Sequence, residues 1–386
     1  MSCPAAKACR PSRRDALLGG ALGAVAALAS PSSQNASSAA LKTRAAPDSL
    51  GARAARRGLF FGVAVETRHL SGDPAFAAAV IREADVLTPA WEQKWGAVEP
   101  QRGRRNHQAV DAIVQFAARN GQRLRGHALV WYLNLPHWFD NELDPAQARA
   151  ALSAHIGDIC RRAGPATFHW DVVNEGVNPR DGRPDGLRIT PHLRLLGDDY
   201  IEQAFVMARE AAPKARLYYN DFGVDYADAD SNGRRASILR LLERLKSRGV
   251  PIDGLGVQGH LVMGRRFDAG IFRRFLADVA GIGLDIAITE FDVRDRVLPA
   301  DPAARDRAVA DHARAYVETA LDERAVKGIV TWGLSDRYSW VNDMPQWRRP
   351  DGLLNRGLPL DEVMAAKPLL GALAAALDAA PMRAPN

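Results

Sequence analysis

From residue 58 onward, apolar residues recur in two alternating rhythms. Short runs rich in β-branched and aromatic side chains predict strands at Leu59–Val65, Asp85–Leu87, Arg123–Leu129, Phe168–Val173, Arg216–Asn220, Gly254–Gln258, Asp285–Thr289 and Gly328–Trp332. Between them the spacing becomes helical. Val110, Ile113, Val114, Phe116 and Ala117 share one face, and Ile238, Leu241, Leu242 and Leu245 share another. Strands alternating with helices imply a parallel sheet. Eight such units fit a closed α/β architecture, the (β/α)8 TIM barrel, better than an open sheet. The expected arrangement is a single catalytic domain over residues 57–380. No internal repeat interrupts it, and no dinucleotide fingerprint or Walker loop follows a strand. The doubly wound alternative therefore lacks its usual ligand motif.

The front of the chain follows neither rhythm. Ser12-Arg13-Arg14-Asp15-Ala16-Leu17-Leu18 precedes a weakly apolar run, Ala16 to Ala29, too short to span a bilayer. Ala27-Leu28-Ala29 offers the small residues that an export peptidase needs. The paired arginines resemble a twin-arginine export signal, with Ala16 where that signal prefers a bulky apolar residue. A Sec signal is the alternative. Either reading makes residues 1–29 an export signal and the protein periplasmic or secreted. Residues 30–56, rich in Ser, Ala and Arg, read as a linker.

Composition narrows the partners. Of 386 residues, 47% are hydrophobic, too many for a disordered chain. There are 51 Lys and Arg against 45 Asp and Glu, but residues 1–57 hold 9 basic and only 2 acidic side chains. The remainder carries 42 basic and 43 acidic residues. A near-neutral body argues against nucleic acid, which needs a concentrated basic face. Neither a membrane partner after signal removal nor a cofactor is expected, and the chain reads as a monomer. Cys3 and Cys9 lie in the segment expected to be removed. Cys160, on an apolar helical pattern with Ile156, reads as a small buried hydrophobe. No metal site is expected either: His127 and His137 lack a carboxylate at ligand spacing, and His-Glu-x-x-His is absent. There is no Gly-x-Ser-x-Gly elbow for a serine hydrolase.

In a barrel of this kind, active residues sit at the C-terminal ends of strands. Here those ends carry His127, Asn174-Glu175, Asn220-Asp221, Gln258 and His260, Glu290 and Asp292, and Trp332. One polar residue at a strand end is ordinary. Several around one rim are harder to attribute to solvation. Trp170-Asp171-Val172-Val173-Asn174-Glu175 and Asp285-Ile286-Ala287-Ile288-Thr289-Glu290 each run a hydrophobic strand into a carboxylate. Strands four and seven face each other across a barrel mouth. Two carboxylates so placed are the equipment of glycoside hydrolysis, and a separation near ~5–5.5 Å gives retention through a covalent glycosyl-enzyme. Repulsion from an ionised Glu290 would keep Glu175 protonated as the acid. Esterification of Glu290 would remove that repulsion and free Glu175 to act as base. The plain alternative is that each Glu caps a helix or pairs with an Arg.

At this point the resemblance becomes specific. Gly126-His127-Ala128-Leu129-Val130-Trp131, Trp170 to Glu175, Leu217-Tyr218-Tyr219-Asn220-Asp221, Gln258-Gly259-His260-Leu261, Ile288-Thr289-Glu290-Phe291-Asp292 and Thr331-Trp332-Gly333-Leu334-Ser335-Asp336-Arg337-Tyr338-Ser339-Trp340 together resemble glycoside hydrolase family ten, the endo-β-1,4-xylanases. The similarity runs from about Phe61 to Leu370. It implies Glu175 as acid/base and Glu290 as nucleophile in the hydrolysis of xylan. It implies that Asn174 holds the 2-hydroxyl of the attacked sugar, that Gln258 sits near Glu175, and that His260 bonds Glu290 and is oriented by Asp292. Lys94, His127, Trp131 and Asn220 would bind substrate. Trp332 and Trp340 would offer flat faces to pyranose rings. Trp95 and Trp170 read equally well as barrel packing.

Two places depart from the family pattern. Thr88-Pro89-Ala90-Trp91-Glu92-Gln93-Lys94-Trp95 carries Ala90 and Trp91 where the family has Glu-Asn. Trp131 is followed by Tyr132-Leu133-Asn134 instead of His-Ser-Gln. Both replace hydrogen-bonding groups on the glycone side with apolar or aromatic ones. Each lost polar contact to a sugar costs about 1–3 kcal/mol. The chemistry is therefore expected intact and the distal glycone subsite altered. Alternative substrates are a decorated xylan, a shorter oligosaccharide or another β-glycan. A non-catalytic carbohydrate-binding barrel is the remaining alternative.

Overall fold

The computed structural model describes residues 46–384. The export signal read over residues 1–29, and the linker read up to residue 45, lie outside the described residues. Eight parallel strands alternate with helices: β1 (Phe60–Val65), β2 (Val86–Pro89), β3 (Arg123–Gly126), β4 (Thr167–Asn174), β5 (Arg216–Asp221), β6 (Gly254–Val257), β7 (Asp285–Arg294) and β8 (Val326–Thr331). Each pairs in parallel with the next, and β8 pairs with β1, so the sheet closes into the expected (β/α)8 barrel.

Closure leaves two apolar compartments. Phe60, Val86, Tyr218, Ala287 and Val330 fill the barrel interior. The larger core lies between sheet and helices. There the predicted faces are buried: Val110, Ile113 and Ala117 on helix Gln108–Arg119, and Ile238, Leu241, Leu242 and Leu245 on helix Ala229–Ser247. Side-chain caps start many of these helices. Asp144 and Gln147 form a reciprocal capping box at the head of Pro145–Ala163.

Three details differ from the sequence reading. The linker does not extend to residue 56. Leu50–Arg56 is a helix capped by Ser49, with Leu50 and Ala54 buried. Its i, i+4 apolar pair was masked by an Ala- and Arg-rich composition, and the helix packs on the C-terminal helix Pro368–Ala379. The third strand ends at Gly126 instead of Leu129. Pairing resumes only at Val130–Trp131, against Val173 and Asn174. Gly126 is required here by close approach, because any side chain would collide with the indole of Trp170. The seventh strand continues past Thr289 to Arg294. It also pairs with a short segment, His260–Val262, that places His260 opposite Asp292.

Candidate active site

The C-terminal ends of the strands surround a cleft of about 850 Å³. Lys94, His127, Trp131, Asn174, Glu175, Gln258, His260, Glu290, Trp332 and Trp340 line it. Side chains scattered over more than two hundred positions of sequence thus meet in one mouth, as parallel strands of a barrel dictate.

Glu290 projects from the middle of β7. Its backbone N–H donates to the Gln258 carbonyl at 2.8 Å. Its carboxylate is held at both oxygens: Asn220 Nδ2 donates to Oε1 at 2.7 Å, and His260 Nε2 lies 3.2 Å from Oε2. Burial alone would push the carboxyl up. The hydrogen bond from His260 and the field of His127, His260 and Lys94 outweigh it and hold the group down to about 2. His260 shows the converse. Burial disfavours its charge, but Asp292 and Glu290 together raise it to about 9. Its Nδ1 lies 2.8 Å from Asp292 Oδ1, and the other Asp292 oxygen accepts from Trp340 Nε1 at 2.6 Å. At neutral pH the imidazolium donates to both carboxylates.

Glu175 stands one residue beyond β4 in the left-handed region, with φ of 60°. Such a conformation costs a non-glycine residue about 1–3 kcal/mol, so the surroundings must impose it. Its N–H donates to the Asn220 carbonyl at 2.8 Å, and its own carbonyl accepts from Arg188 Nε at 2.7 Å. The carboxylate Oε1 accepts from Gln258 Nε2 at 3.1 Å and Asn174 Nδ2 at 3.3 Å. Asn174 Oδ1 in turn accepts from Asn220 and Gln258.

Asn220 does not occupy the position the sequence reading gave it. It is fully buried beneath the cleft. Its amide donates to Asn174 and Glu290, while its oxygen accepts from Thr289 Oγ1 at 2.7 Å. Both amide hydrogens are thus committed within the protein, and the buried side chain does not line the cleft. The residue instead ties the two carboxylates together, since Asn174 leads to Glu175. Gly256 makes room for it: a side chain there would collide with the Asn220 amide.

A second network was missed in the sequence. Arg125 and Asp171 are fully buried and form a two-pronged ion pair inside the barrel. Asp171 also lies 2.9 Å from His127 Nδ1, and Gln93 accepts from the His127 N–H. His127 is thereby fixed with its ring in the cleft wall, 4.0 Å from Glu290 Oε1. The available signal was a charged residue inside each of two buried strands, Leu124-Arg125-Gly126 and Trp170-Asp171-Val172. The placement of Arg188 carried no sequence signal. Trp95 and Trp170 are packing residues: Trp95 stacks on His155 at 4.4 Å, and Trp170 fills the space above Gly126. Cys160 is buried, and burial pushes its thiol up to about 12.

The two departures from the family pattern meet on one side. Ala90, Trp91, Tyr132 and Leu133 all line the cleft. Trp91 is 50% exposed, and the Lys94 ammonium sits between it and Trp131, 5.8 and 4.3 Å from their ring centres. Burial lowers the Lys94 pKa despite the nearby Glu290. Glu92 points away and accepts from Thr67 Oγ1 at 2.9 Å. Tyr132 lies under Arg188 at 4.4 Å.

A closed (β/α)8 barrel with a fixed carboxylate at the end of the fourth strand and another in the seventh defines a glycoside hydrolase class of protein. The match to the glycosyl hydrolase family 10 model covers residues 49–376, and the chain belongs to that family. It is 35% identical over 289 residues to endo-1,4-beta-xylanase 1 of Humicola insolens, a match covering 73% of this chain and 64% of that protein. The chain thus spans a little under two thirds of that relative. Its fold is similar to xylanase 10B of Thermotoga petrophila RKU-1 solved with xylobiose, with a TM-score of 0.77, 31% identity and coverage of 86% and 97%. Native xylanase 10B of Thermotoga maritima gives a TM-score of 0.76 at 32% identity, covering 86% of this chain and 98% of that one.

Proposed function

We propose that the protein is a retaining endo-β-1,4-xylanase with Glu290 as nucleophile and Glu175 as acid/base. The observation that carries this reading is the environment of Glu290. A carboxylate held down to about 2 and gripped at both oxygens is ionised and aimed at any working pH.

In the first step a Glu290 oxygen bonds to the anomeric carbon as the bond to the leaving oxygen breaks. Glu175 gives its proton to that oxygen, and the aglycone departs. In the second step a water oxygen attacks the same carbon. Its proton passes to Glu175, and the ester to Glu290 breaks. Two inversions return the original configuration. The charge on Glu290 is lost in the first step and recovered in the second. His260 remains bonded to Asp292 throughout and supports the carboxylate whenever it is free.

Asn174 keeps one amide hydrogen for the sugar, and His127 keeps Nε2. Trp131, Trp332 and Trp340 supply flat apolar faces. The substrate is xylan, and the Ala90-Trp91 pair favours a chain bound differently at the distal glycone position than in its relatives. The leader read over residues 1–29 makes the enzyme an exported one, periplasmic or secreted. Among the described residues no helix is long and apolar enough to cross a membrane.

The test is xylan digestion with NMR of the nascent anomer. β-configured reducing ends support retention, and initial α-anomers refute it. Glu290→Gln should abolish turnover while sparing oligosaccharide binding.

A further inference from the structure

Around His260, the end of β7 and the segments that follow β6 and β8 build a stretch of cleft wall of which the reaction above uses only His260 and Trp340. His260, Val262, Arg265, Arg294, Met344 and Trp347 face the cleft there. Among the cleft-lining arginines, Arg180 pairs with Asp230, Arg234 with Asp221 and Arg265 with Asp228. Arg294 has no such ion pair among the described residues. It is half-buried, its guanidinium makes no hydrogen bond or ion pair among the described residues, and its Nε is sequestered without a partner. Asp292, the carboxylate whose field supports its charge, is engaged by His260 and Trp340. Burial lowers the Arg294 pKa below its ordinary value, and Arg265 adds to this.

The guanidinium lies over the Trp347 ring at 3.8 Å and 5.3 Å from the centre of Trp340. Trp347 packs edge-to-face on Trp340 at 4.5 Å, so the aromatic support is itself fixed. A guanidinium resting on an aromatic face keeps its donors in its own plane, ready for a bidentate acceptor. A sequestered arginine without a counter-ion is costly in the free protein. A ligand carboxylate would relieve that cost.

We infer that Arg294, seated on Trp347, binds the carboxylate of a uronic-acid branch, and that the enzyme prefers acidic over neutral stretches of its glycan. This rests on the proposed xylanase reading and adds a substrate class to it.

The experiment compares three oligosaccharides of equal backbone length: linear xylo-oligosaccharide, the same backbone with one glucuronic acid branch, and that branch as its methyl ester. For the parent enzyme kcat/KM on the acid should exceed that on the ester by about tenfold or more, and added salt should shrink the gap. Arg294→Gln should bring the acid-to-ester ratio close to one, through KM, and Arg294→Lys should keep part of the preference. A merely structural Arg294 would lower kcat on all three alike and leave the ratio unchanged, which overturns the proposal. So does a parent enzyme that hydrolyses the linear substrate but treats acid and ester equally, whatever the variants do. Hydrolysis of none of the three overturns the xylanase reading itself, and this inference falls with it.

Discussion

His260 Nε2 lies 3.2 Å from Glu290 Oε2, with the imidazole raised to about 9 and the carboxyl held down to about 2. The two shifts share this contact: Asp292 first and then Glu290 raise the imidazole, while His260, His127 and Lys94 hold the carboxyl down. Each charge is buried and is stabilised by the other.

This relationship sets a pH dependence. The folded pKa of His260 is above its ordinary value of 6.5, so its contribution to stability is fully present below that value and is lost as pH rises towards about 9. Glu290 is depressed from 4.5, so its contribution is present above 4.5 and lost as pH falls towards about 2. Thermal unfolding of the parent and His260→Gln across pH 5–10 should converge on the alkaline side. In the variant, the acid limb of kcat/KM should move to higher pH, because Glu290 loses its strongest support.

Asn220 holds Glu290 and Asn174 simultaneously. Asn220→Leu removes two buried donors, each worth about 1–3 kcal/mol once its partner is left unsatisfied. kcat on xylan should fall at least tenfold with a smaller change in KM. A change confined to KM would mean that the residue contacts substrate after all.

Arg188 anchors the carbonyl of a residue in left-handed conformation. Arg188→Met should misplace the Glu175 carboxyl. Rates on xylan should drop more than rates on an aryl β-xyloside with an acidic phenol, which needs little protonation to depart. Equal loss on both substrates would contradict this.

The Arg125–Asp171 pair is wholly buried. Arg125→Leu leaves Asp171 without its counter-ion, and unfolding free energy should fall by about 3–5 kcal/mol. Chemical denaturation measures it directly, and the variant's KM should rise as His127 loses its fixed orientation.

On the glycone side, Ala90→Glu combined with Trp91→Asn restores two polar groups beside Lys94. Product profiles on unbranched xylo-oligosaccharides should shift towards cleavage with two bound glycone sugars. An unchanged profile would show that Trp91 already serves that position.

Much of this was legible in the chain itself. Short apolar runs alternating with helical spacing specified a barrel, because parallel strands buried on both faces each need a helix to cover the outer face and return the chain. Glu175, Glu290, His260 and Asp292 could be singled out because each stands at or just beyond the end of an apolar run, where a barrel delivers side chains to its rim. Asn220 could be located but not assigned. Which way an amide points depends on neighbours from two other strands, and only closure showed that Asn174 and Glu290 take both its hydrogens while Thr289 donates to its oxygen. Leu50–Arg56 was hidden for a related reason: its helix is stabilised by packing on Pro368–Ala379, over three hundred residues away. The isolation of Arg294 was equally invisible. An arginine's partners are fixed by distance in space, and here the fold brings two indoles to it and, among the described residues, no carboxylate within ion-pair reach.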